Sequence, residues 1–225
     1  MRDAEGGMQN DPEILYSPFP IPHSALRVGV FGGTFDPVHL GHLIVAEQCR
    51  EQAKLDLVLF IPAARPPHKL DQPLTSFLHR REMLSLAVAG QPAFRVDDLE
   101  KDRQGPSYTV DTLEELQRRQ PGSELFLIVG ADCLPDLPSW HQPARIVDLA
   151  CLLIVARPGW TVWPIERLRA ALGIPGMLRY EVVNVPQIEI ASRDLRRRVA
   201  AGQSIRYLVP RAVECYIEEH RLYGS

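Results

Sequence analysis

From residue 25 onward, short apolar segments alternate with segments of helical periodicity, and this alternation restricts the fold more than any other feature of the sequence. The predicted strands are 26–31, 56–62, 94–99, 124–129, 151–156 and 179–185. The predicted helices are 40–54, 76–89, 109–120, 164–172, 193–201 and 210–222. Strands that alternate with helices at this spacing favour right-handed β-α-β crossovers and a parallel sheet. We therefore predict an α/β fold, a Rossmann-like doubly wound parallel sheet with a helical C-terminal portion.

Length and composition divide the 225 residues into a short extension and one body. Residues 1–24 contain four prolines, scattered acidic side chains and no amphipathic period. Such a segment cannot bury enough apolar surface to offset its ordering entropy, so we predict a disordered N-terminal extension. No internal repeat or low-complexity linker interrupts the remainder, and residues 25–225 are predicted to form a single domain.

The charge distribution excludes several classes of partner. The net charge is −3, and residues 1–25 account for all of it, because residues 26–225 carry 24 basic and 24 acidic side chains. A body with balanced charge has no bulk attraction for nucleic acid or anionic lipid, so neither is expected as a partner. No apolar run approaches the ~20 residues of a membrane-spanning helix. Any anion must therefore be bound at a local site.

The four cysteines show neither C-x-x-C pairing nor zinc-like spacing with histidine. The first 25 residues also lack the basic and apolar regions of a signal peptide. Because disulfides need an oxidising compartment, the thiols are predicted to be reduced and the protein cytoplasmic. A homo-oligomer is compatible with these features.

The junction between the first strand and the first helix carries the most informative motif. Residues 32–42 are Gly-Gly-Thr-Phe-Asp-Pro-Val-His-Leu-Gly-His. Ligands of open α/β sheets bind beyond the carboxyl ends of the strands, and two glycines there let the backbone approach a ligand closely. The spacing fails the G-x-G-x-x-G dinucleotide fingerprint, and no Gly-Lys-Ser/Thr of a Walker A loop follows. Hydride transfer and P-loop hydrolysis are therefore both disfavoured.

His39 and His42 lie three residues apart where the first helix should begin. Residues at this spacing share a helix face, so both imidazoles can point at one ligand. The N–H groups and dipole of a helix N-terminus favour an anion there, and Gly41 leaves room for it. The alternative is that the histidines only decorate a helix start, which the preceding glycine pair makes less favourable. Asp36 is interpreted as a turn residue, and no protein metal site is predicted.

Residues 32–42 resemble the H-x-G-H motif of the nucleotidyltransferase superfamily, whose members transfer a nucleoside monophosphate from a triphosphate to a phosphorylated acceptor. The rest of the chain resembles one branch, the bacterial nicotinate-nucleotide adenylyltransferases. The similar segments are 66–69 (Pro-Pro-His-Lys), 107–113 (Ser-Tyr-Thr-Val-Asp-Thr-Leu), 130–132 (Gly-Ala-Asp), 137–140 (Leu-Pro-Ser-Trp), 157–159, 190–196, 204–210 and 222–223. They follow one another in order to the end of the chain.

This resemblance implies that residues 25–225 are a nucleotidyltransferase domain that joins ATP and nicotinate mononucleotide. The products would be nicotinate adenine dinucleotide and pyrophosphate, in NAD biosynthesis. The acceptor phosphate would attack the α-phosphorus of ATP directly, without a covalent enzyme intermediate. Mg²⁺ would arrive with ATP, ligated mostly by phosphates and water. The partners implied are small-molecule substrates only.

The resemblance also implies roles for particular residues. The implied catalytic residues are His39, His42 and Arg196. The implied ATP-binding residues are Gly32, Gly33, Thr34, Phe35, His39, His42, Gly130, Asp132, Ser192 and Arg196. The implied mononucleotide-binding residues are Lys69, Tyr108, Thr109 and Trp140. An indole face suits a flat aromatic ligand, and Ser192 is a candidate N-cap that would place Arg196 one turn into a helix.

Several alternatives to these roles stay open. Trp140 is also typical of a core tryptophan, Asp132 of a turn residue, Thr109 of a helix cap and Arg196 of a solvated helix face. The branch usually carries Ile-Ser-Ser-Thr before its arginine, whereas this chain has Ile-Ala-Ser-Arg at 190–193. Two other functions are also compatible. One is another H-x-G-H enzyme such as pantetheine-phosphate adenylyltransferase, and the other is a nucleotide-binding module without turnover.

Overall fold

The fold is known from a computed structural model, which describes residues 25–67, 73–156 and 163–224. Its strands are β1 Arg27–Gly33, β2 Leu57–Pro62, β3 Phe94–Val96, β4 Glu124–Gly130, β5 Ala150–Ala156 and β6 Tyr180–Asn184. Its helices are α1 Leu40–Gln52, α2 Phe77–Val88, α3 Thr109–Arg119, α4 Pro143–Leu149, α5 Ile165–Ala171, α6 Ser192–Ala200 and α7 Arg211–Glu219. The predicted disordered extension at residues 1–24 lies outside the described residues and stays a prediction.

All the strand pairs are parallel, and the strand order is β3-β2-β1-β4-β5-β6. This order reverses between β1 and β4, which are hydrogen-bonded neighbours although β2 and β3 lie between them in sequence. The carboxyl ends of two strands that diverge in this way border a crevice, the usual ligand site of such sheets. The predicted doubly wound sheet is confirmed, and its switch point lies beyond residues 33 and 130.

Helices cover both faces of the sheet, because alternate strand residues face opposite ways. On one face, Val58 and Phe60 of β2 pack in a core with α1, α2, α6 and α7. On the other face, Leu57, Leu59 and Ile61 pack with α3, α4 and α5. Strands buried on both sides read as continuous apolar runs, which is why the sequence predicted them well.

Three local differences from the predicted elements have physical causes. β3 ends at Val96 rather than at residue 99, because the Asp97 carboxylate accepts the N–H of Leu99 at 2.9 Å and turns the chain. α7 ends at Glu219 rather than at residue 222, and Arg221 leaves the helix with φ 50°. The short helix α4 was not predicted, since its seven residues leave hardly two turns of periodicity.

Two further properties concern the helices and the cysteines. Among the described residues, no helix is both long and apolar enough to cross a bilayer. No disulfide forms in the described part of the chain, which includes all four cysteines. Burial raises the pKa of the Cys49 thiol to about 12, so this group is a protonated core side chain.

Candidate active site

Two cavities open at the carboxyl edge of the sheet, one on each side of the switch point. The larger, of about 690 Å³, lies between the ends of β1, β4 and β5 and the N-termini of α1 and α6. The smaller, of about 250 Å³, lies between β1, β4 and the start of α3. Gly33 and Ile128 line both cavities. A ligand in one cavity therefore lies next to a ligand in the other.

The larger cavity collects most of the residues that the sequence assigned to ATP. Its lining includes Gly33, Thr34, His39, His42, Gly130, Asp132, Ser192 and Arg196. Arg193 lines it as well, although the family pattern has a hydroxyl residue at that position. Among the described residues, the lining thus contains two imidazoles, two guanidiniums and one carboxylate, that of Asp132. Such a surface suits a polyanion.

The two histidines are stacked at the start of α1. Their ring centroids are 3.7 Å apart and their planes differ by 27°. The backbone N–H of His39 donates to Nδ1 of His42 at 3.2 Å. Because a backbone N–H can only donate, Nδ1 of His42 must lack a proton, and the neutral ring carries its proton on Nε2. His42 is therefore oriented as an Nε2–H donor in a cavity-lining position.

Phe35 does not line the cavity; its ring supports the His42 imidazole from the side of the core. The residue adopts φ 47°, which a bulky side chain seldom does, and its ring is 2% exposed. The ring packs edge-on against His42, with centroids 5.0 Å apart, and against Phe31 and Phe60. Burial of this ring stabilises the loop conformation and fixes the plane of the His42 imidazole.

Gly41 has its own structural requirement. A Cβ at this position would lie 3.0 Å from Nδ1 and 3.1 Å from Cε1 of His39. Glycine therefore makes room for the His39 ring, in addition to the anion that the sequence suggested. The H-x-G-H spacing thus encodes a packing relation between its own members.

Gly41→Ala should separate activity from stability. Alanine is the better helix former by about 1 kcal/mol, yet its methyl group displaces His39, so we expect kcat to fall about tenfold while thermal stability is kept. The matched control is Gly176→Ala, where a Cβ meets no atom within 4 Å. Steady-state kinetics and a melting curve on both variants check this. Unchanged kcat in Gly41→Ala would show that His39 tolerates the shift.

The start of α6 brings Arg196 and Ser192 to the loop between β1 and α1. Nη1 of Arg196 donates to the carbonyl oxygen of Asp36 at 2.6 Å, and the Ser192 hydroxyl donates to that of Pro37 at 2.8 Å. The predicted N-cap role of Ser192 is wrong, since Ala191 is the N-cap and Ser192 the first helical residue. The N-cap Ala191 makes no side-chain capping bond, so the first N–H groups of α6 can serve a ligand.

The smaller cavity collects the described residues that the sequence assigned to the mononucleotide. Tyr108, Thr109 and Trp140 line it. Tyr108 is the N-cap of α3 and makes no side-chain capping bond, so the first turn of α3 presents its N–H groups here. The Tyr108 ring stacks on His141, with centroids 4.3 Å apart and planes 28° from parallel.

A buried carboxylate supports this cavity. Glu100 is 6% exposed, and its Oε1 accepts the hydroxyl of Thr112 at 2.6 Å. The Arg103 guanidinium lies 3.9 Å from the same oxygen and donates to the Tyr108 carbonyl at 3.3 Å. Oε2 of Glu100 has no hydrogen-bond partner in the described part of the chain, and Glu100 lines the cavity. The bonds from Arg103 to the Tyr108 carbonyl and from Thr112 to Glu100 connect the segment before α3 to the start of that helix.

Some predicted positions fall elsewhere. Gly32 lines the smaller cavity rather than the larger one. Phe35 lines neither, although its backbone continues from Thr34 into the same loop. Lys69 lies outside the described residues, and its assignment stays a prediction.

Four residues of this region were not assigned a role from the sequence. Arg80 is 1% exposed and donates to the carbonyl oxygens of Thr34 and Thr75 at 2.8 and 2.9 Å. Glu100, Arg103 and His141 belong to the smaller cavity and its support. An arginine among apolar residues in a predicted helix is the kind of signal that indicates a buried polar contact. The backbone carbonyls that it contacts were not predictable.

The donor set fits a metal that arrives with its substrate. Within the described residues, no three His, Cys, Asp or Glu side chains are grouped as in a metal site. Asp132 is the carboxylate that lines the larger cavity. A Mg²⁺ ion bound to ATP takes most of its ligands from phosphates and water. The lining of the larger cavity is compatible with a Mg²⁺ ion bound in this way.

Comparisons with known proteins agree with this geometry. A family model described as cytidylyltransferase-like matches residues 30–198, and the chain is accordingly a nucleotidyltransferase of that class. A Thermomicrobium roseum protein described as a probable nicotinate-nucleotide adenylyltransferase is 49% identical over 200 residues, covering 88% of this chain and 92% of its own. A Thermus thermophilus protein with the same description is 50% identical over 198 residues, covering 88% and 100%. The chain therefore belongs to the nicotinate-nucleotide adenylyltransferase family.

Solved structures support the fold independently. Plasmodium falciparum nicotinic acid mononucleotide adenylyltransferase, complexed with NaAD, superposes with a TM-score of 0.72 at 20% identity. The match covers 88% of this chain and 97% of that one. The same protein complexed with APC gives a TM-score of 0.71. The family suggested by the sequence motifs and the fold class are both confirmed.

Proposed function

We propose that this chain catalyses the transfer of an adenylyl group from ATP to nicotinate mononucleotide, giving nicotinate adenine dinucleotide and pyrophosphate. The observation that carries the proposal is the pair of cavities that meet at Gly33 and Ile128. One has cationic and imidazole side chains, and the other has an indole, a phenol and a helix N-terminus. Two substrates that must react with each other need two adjoining sites of this kind.

The proposed chemistry is a single displacement. A phosphate oxygen of the mononucleotide attacks the α-phosphorus of ATP, the bond to the bridging oxygen of the β-phosphate breaks, and pyrophosphate leaves with the electron pair. The attacking phosphate is already ionised near neutral pH, so no strong general base is needed. Positioning and stabilisation of the developing charge are then the main catalytic terms.

The larger cavity provides those terms for ATP. His42 offers its Nε2–H, His39 stacks on it, and Arg196 and Arg193 add positive charge to the same lining. The uncapped start of α6 supplies further N–H donors, which favour a phosphate group. We assign Gly130 and Asp132, at the end of β4, to the nucleoside side of this cavity. Mg²⁺ enters as part of the ATP complex.

The smaller cavity suits the acceptor. The ring of nicotinate mononucleotide is a flat, positively charged pyridinium, and such a ring stacks favourably on an indole face. We assign this contact to Trp140 and the carboxylate of the acceptor to the first N–H groups of α3, next to Tyr108 and Thr109. Glu100 lines the same cavity, with the Arg103 guanidinium 3.9 Å from its Oε1.

The deciding experiment supplies ATP and Mg²⁺ with one acceptor at a time and measures pyrophosphate release. Nicotinate mononucleotide should be the best acceptor. Preference for the pantetheine phosphate would favour the related H-x-G-H activity, and ATP binding without release would favour a module that only binds nucleotides. The cytoplasm is our proposed location, supported by four cysteines that form no disulfide in the described part of the chain.

Trp140→Ala should change the kinetics of only one substrate, the acceptor nicotinate mononucleotide. Loss of the indole face should raise the KM for nicotinate mononucleotide about tenfold, with the KM for ATP and kcat close to those of the wild type. The reason is that Trp140 lines only the smaller cavity. Initial rates at varied concentrations of each substrate give the three constants.

The matched control is Trp163→Ala. Trp163 packs against the same core as Trp140 but lines neither cavity. Its loss should lower thermal stability without changing either KM. An effect of Trp140→Ala that is confined to ATP would contradict the stacking assignment.

A further inference from the structure

The last described tyrosine of the chain, Tyr223, contacts the loop between β1 and α1, which leads to the two histidines. The Tyr223 hydroxyl donates to Oδ1 of Asp36 at 2.6 Å, across 187 positions of sequence. Asp36 is 1% exposed, and its Oδ2 accepts the N–H of Thr75 at 3.2 Å. Asp36 is thus a buried hydrogen-bond acceptor rather than only the turn residue that the sequence suggested.

The backbone of the same loop is held by three other side chains. Arg80 donates to the carbonyl of Thr34, Arg196 to that of Asp36, and Ser192 to that of Pro37. These contacts come from α2 and α6. Tyr223 adds a contact from the segment after α7, to the buried carboxyl group of Asp36. The loop leads directly into His39, the N-cap of α1.

The hydroxyl of Tyr223 is a permanent donor in this position. Burial and the adjacent Asp36 carboxylate raise the pKa of Tyr223 far above its ordinary value, so the group keeps its proton. Tyr223 also adopts φ 62°, a conformation that a non-glycine residue keeps only where surrounding contacts fix it. Its ring packs against the core on the α1 and α2 face of the sheet. The residue is therefore held firmly although it lies near the end of the chain.

We propose that Tyr223 is a positioning residue for adenylyl transfer, which fixes the loop before His39 through its hydrogen bond to Asp36. This inference rests on the proposed function. Without the phenolic hydroxyl, Oδ1 of Asp36 is left buried without its donor, and such a group is expensive to keep out of water. Asp36 then moves, and with it the carbonyl that Arg196 contacts and the backbone that leads to His39.

Tyr223→Phe tests the proposal, since it keeps the ring and removes the donor. We expect kcat to fall about tenfold while the KM values for ATP and nicotinate mononucleotide change by less than about twofold. The control is Tyr216→Phe, which removes a hydroxyl that lies 2.9 Å from Nδ1 of His79, away from both cavities. That variant should keep wild-type kcat.

Truncations and Asp36 variants give the second measurement. Deleting residues 224–225 should leave kcat unchanged, whereas deleting 223–225 should lower it at least as much as Tyr223→Phe. If Tyr223→Phe does not fold, Asp36→Asn and Asp36→Ala replace it. The asparagine keeps an acceptor for Tyr223 and should stay closer to wild type than the alanine.

The possible results distinguish a failure of this inference from a failure of the proposed function. Wild-type kcat in a folded Tyr223→Phe, or equal loss in Tyr216→Phe, overturns the inference. A rise in the KM for ATP at unchanged kcat also overturns it, because it would mean a role in binding alone. Wild-type protein that forms no dinucleotide contradicts the proposed function and, with it, this inference. Active wild type with an equally active Tyr223→Phe contradicts the inference only.

Discussion

His42→Ala should reduce kcat about 1,000-fold, the largest effect of any single change considered for this site. The variant removes the Nε2–H donor, whose position is fixed by the hydrogen bond from the His39 backbone to Nδ1. The fold should persist, because His42 is only partly buried and the core beneath it is built by Phe35 and Phe60. Single-turnover formation of pyrophosphate at saturating substrates measures the effect on the chemical step.

Two amide variants test which nitrogen matters. Glutamine places an N–H donor near the position of Nε2, whereas asparagine places its polar atoms near Nδ1. We expect His42→Gln to recover part of the lost rate and His42→Asn to recover none. His220→Ala is the control, since His220 packs on Tyr216 outside both cavities. A rate for His42→Ala within about tenfold of the wild type would remove this side chain from the mechanism.

The sheet was predictable because its signal is local. Strands buried on both faces are continuous apolar runs of five to seven residues, such as Leu57–Pro62 and Ala150–Ala156, and each run is visible by itself. Helix α1 was predicted to begin at residue 40, as it does, because the motif at residues 32–42 marks the junction between the first strand and the first helix. Helix α4 was not predicted, because it carries too few residues to show a period.

The site was predictable to the extent that one motif contains it. His39, His42 and Gly41 are neighbours in sequence, and their spacing alone places both rings at a helix start. The stacking distance of the two rings and the tautomer of His42 follow from backbone geometry that a sequence pattern does not specify. Adjacency in sequence therefore predicted the members of the pair, and packing determined the orientation of their atoms.

The support of the site was missed because its contacts are long-range. Asp36 was interpreted as a turn residue, yet its carboxylate binds Tyr223 and its carbonyl binds Arg196, 160 positions away. The contacts of Glu100 and Arg103 are closer in sequence, but they lie in the irregular segment before α3, where no helical or strand period indicates which side chains meet. A buried charge is informative only once its partner is known, and a single sequence contains no record of such pairings.

Arg196→Ala should lower kcat about 100-fold, the second-largest effect expected. The planar guanidinium of Arg196 can serve two roles at once. Its Nη1 donates to the Asp36 carbonyl, and the same group lines the larger cavity. The alanine variant loses the positive charge facing the phosphates and the contact that holds the loop before His39. We therefore expect kcat to fall more than the affinity for ATP, as measured by initial rates and by equilibrium binding of a non-hydrolysable ATP analogue.

Arg196→Lys separates the two roles. Lysine restores the charge but presents a compact ammonium rather than a fork, so it should recover ATP affinity more fully than kcat. Arg197→Ala is the matched control, because Arg197 is exposed, forms an ion pair with Asp194 at 2.7 Å and does not line the cavity. If Arg197→Ala lost as much activity as Arg196→Ala, the effect would come from the general charge of α6 and not from the position of one guanidinium. Full activity in Arg196→Lys would mean that charge alone is required and that the bond to the Asp36 carbonyl has no catalytic consequence.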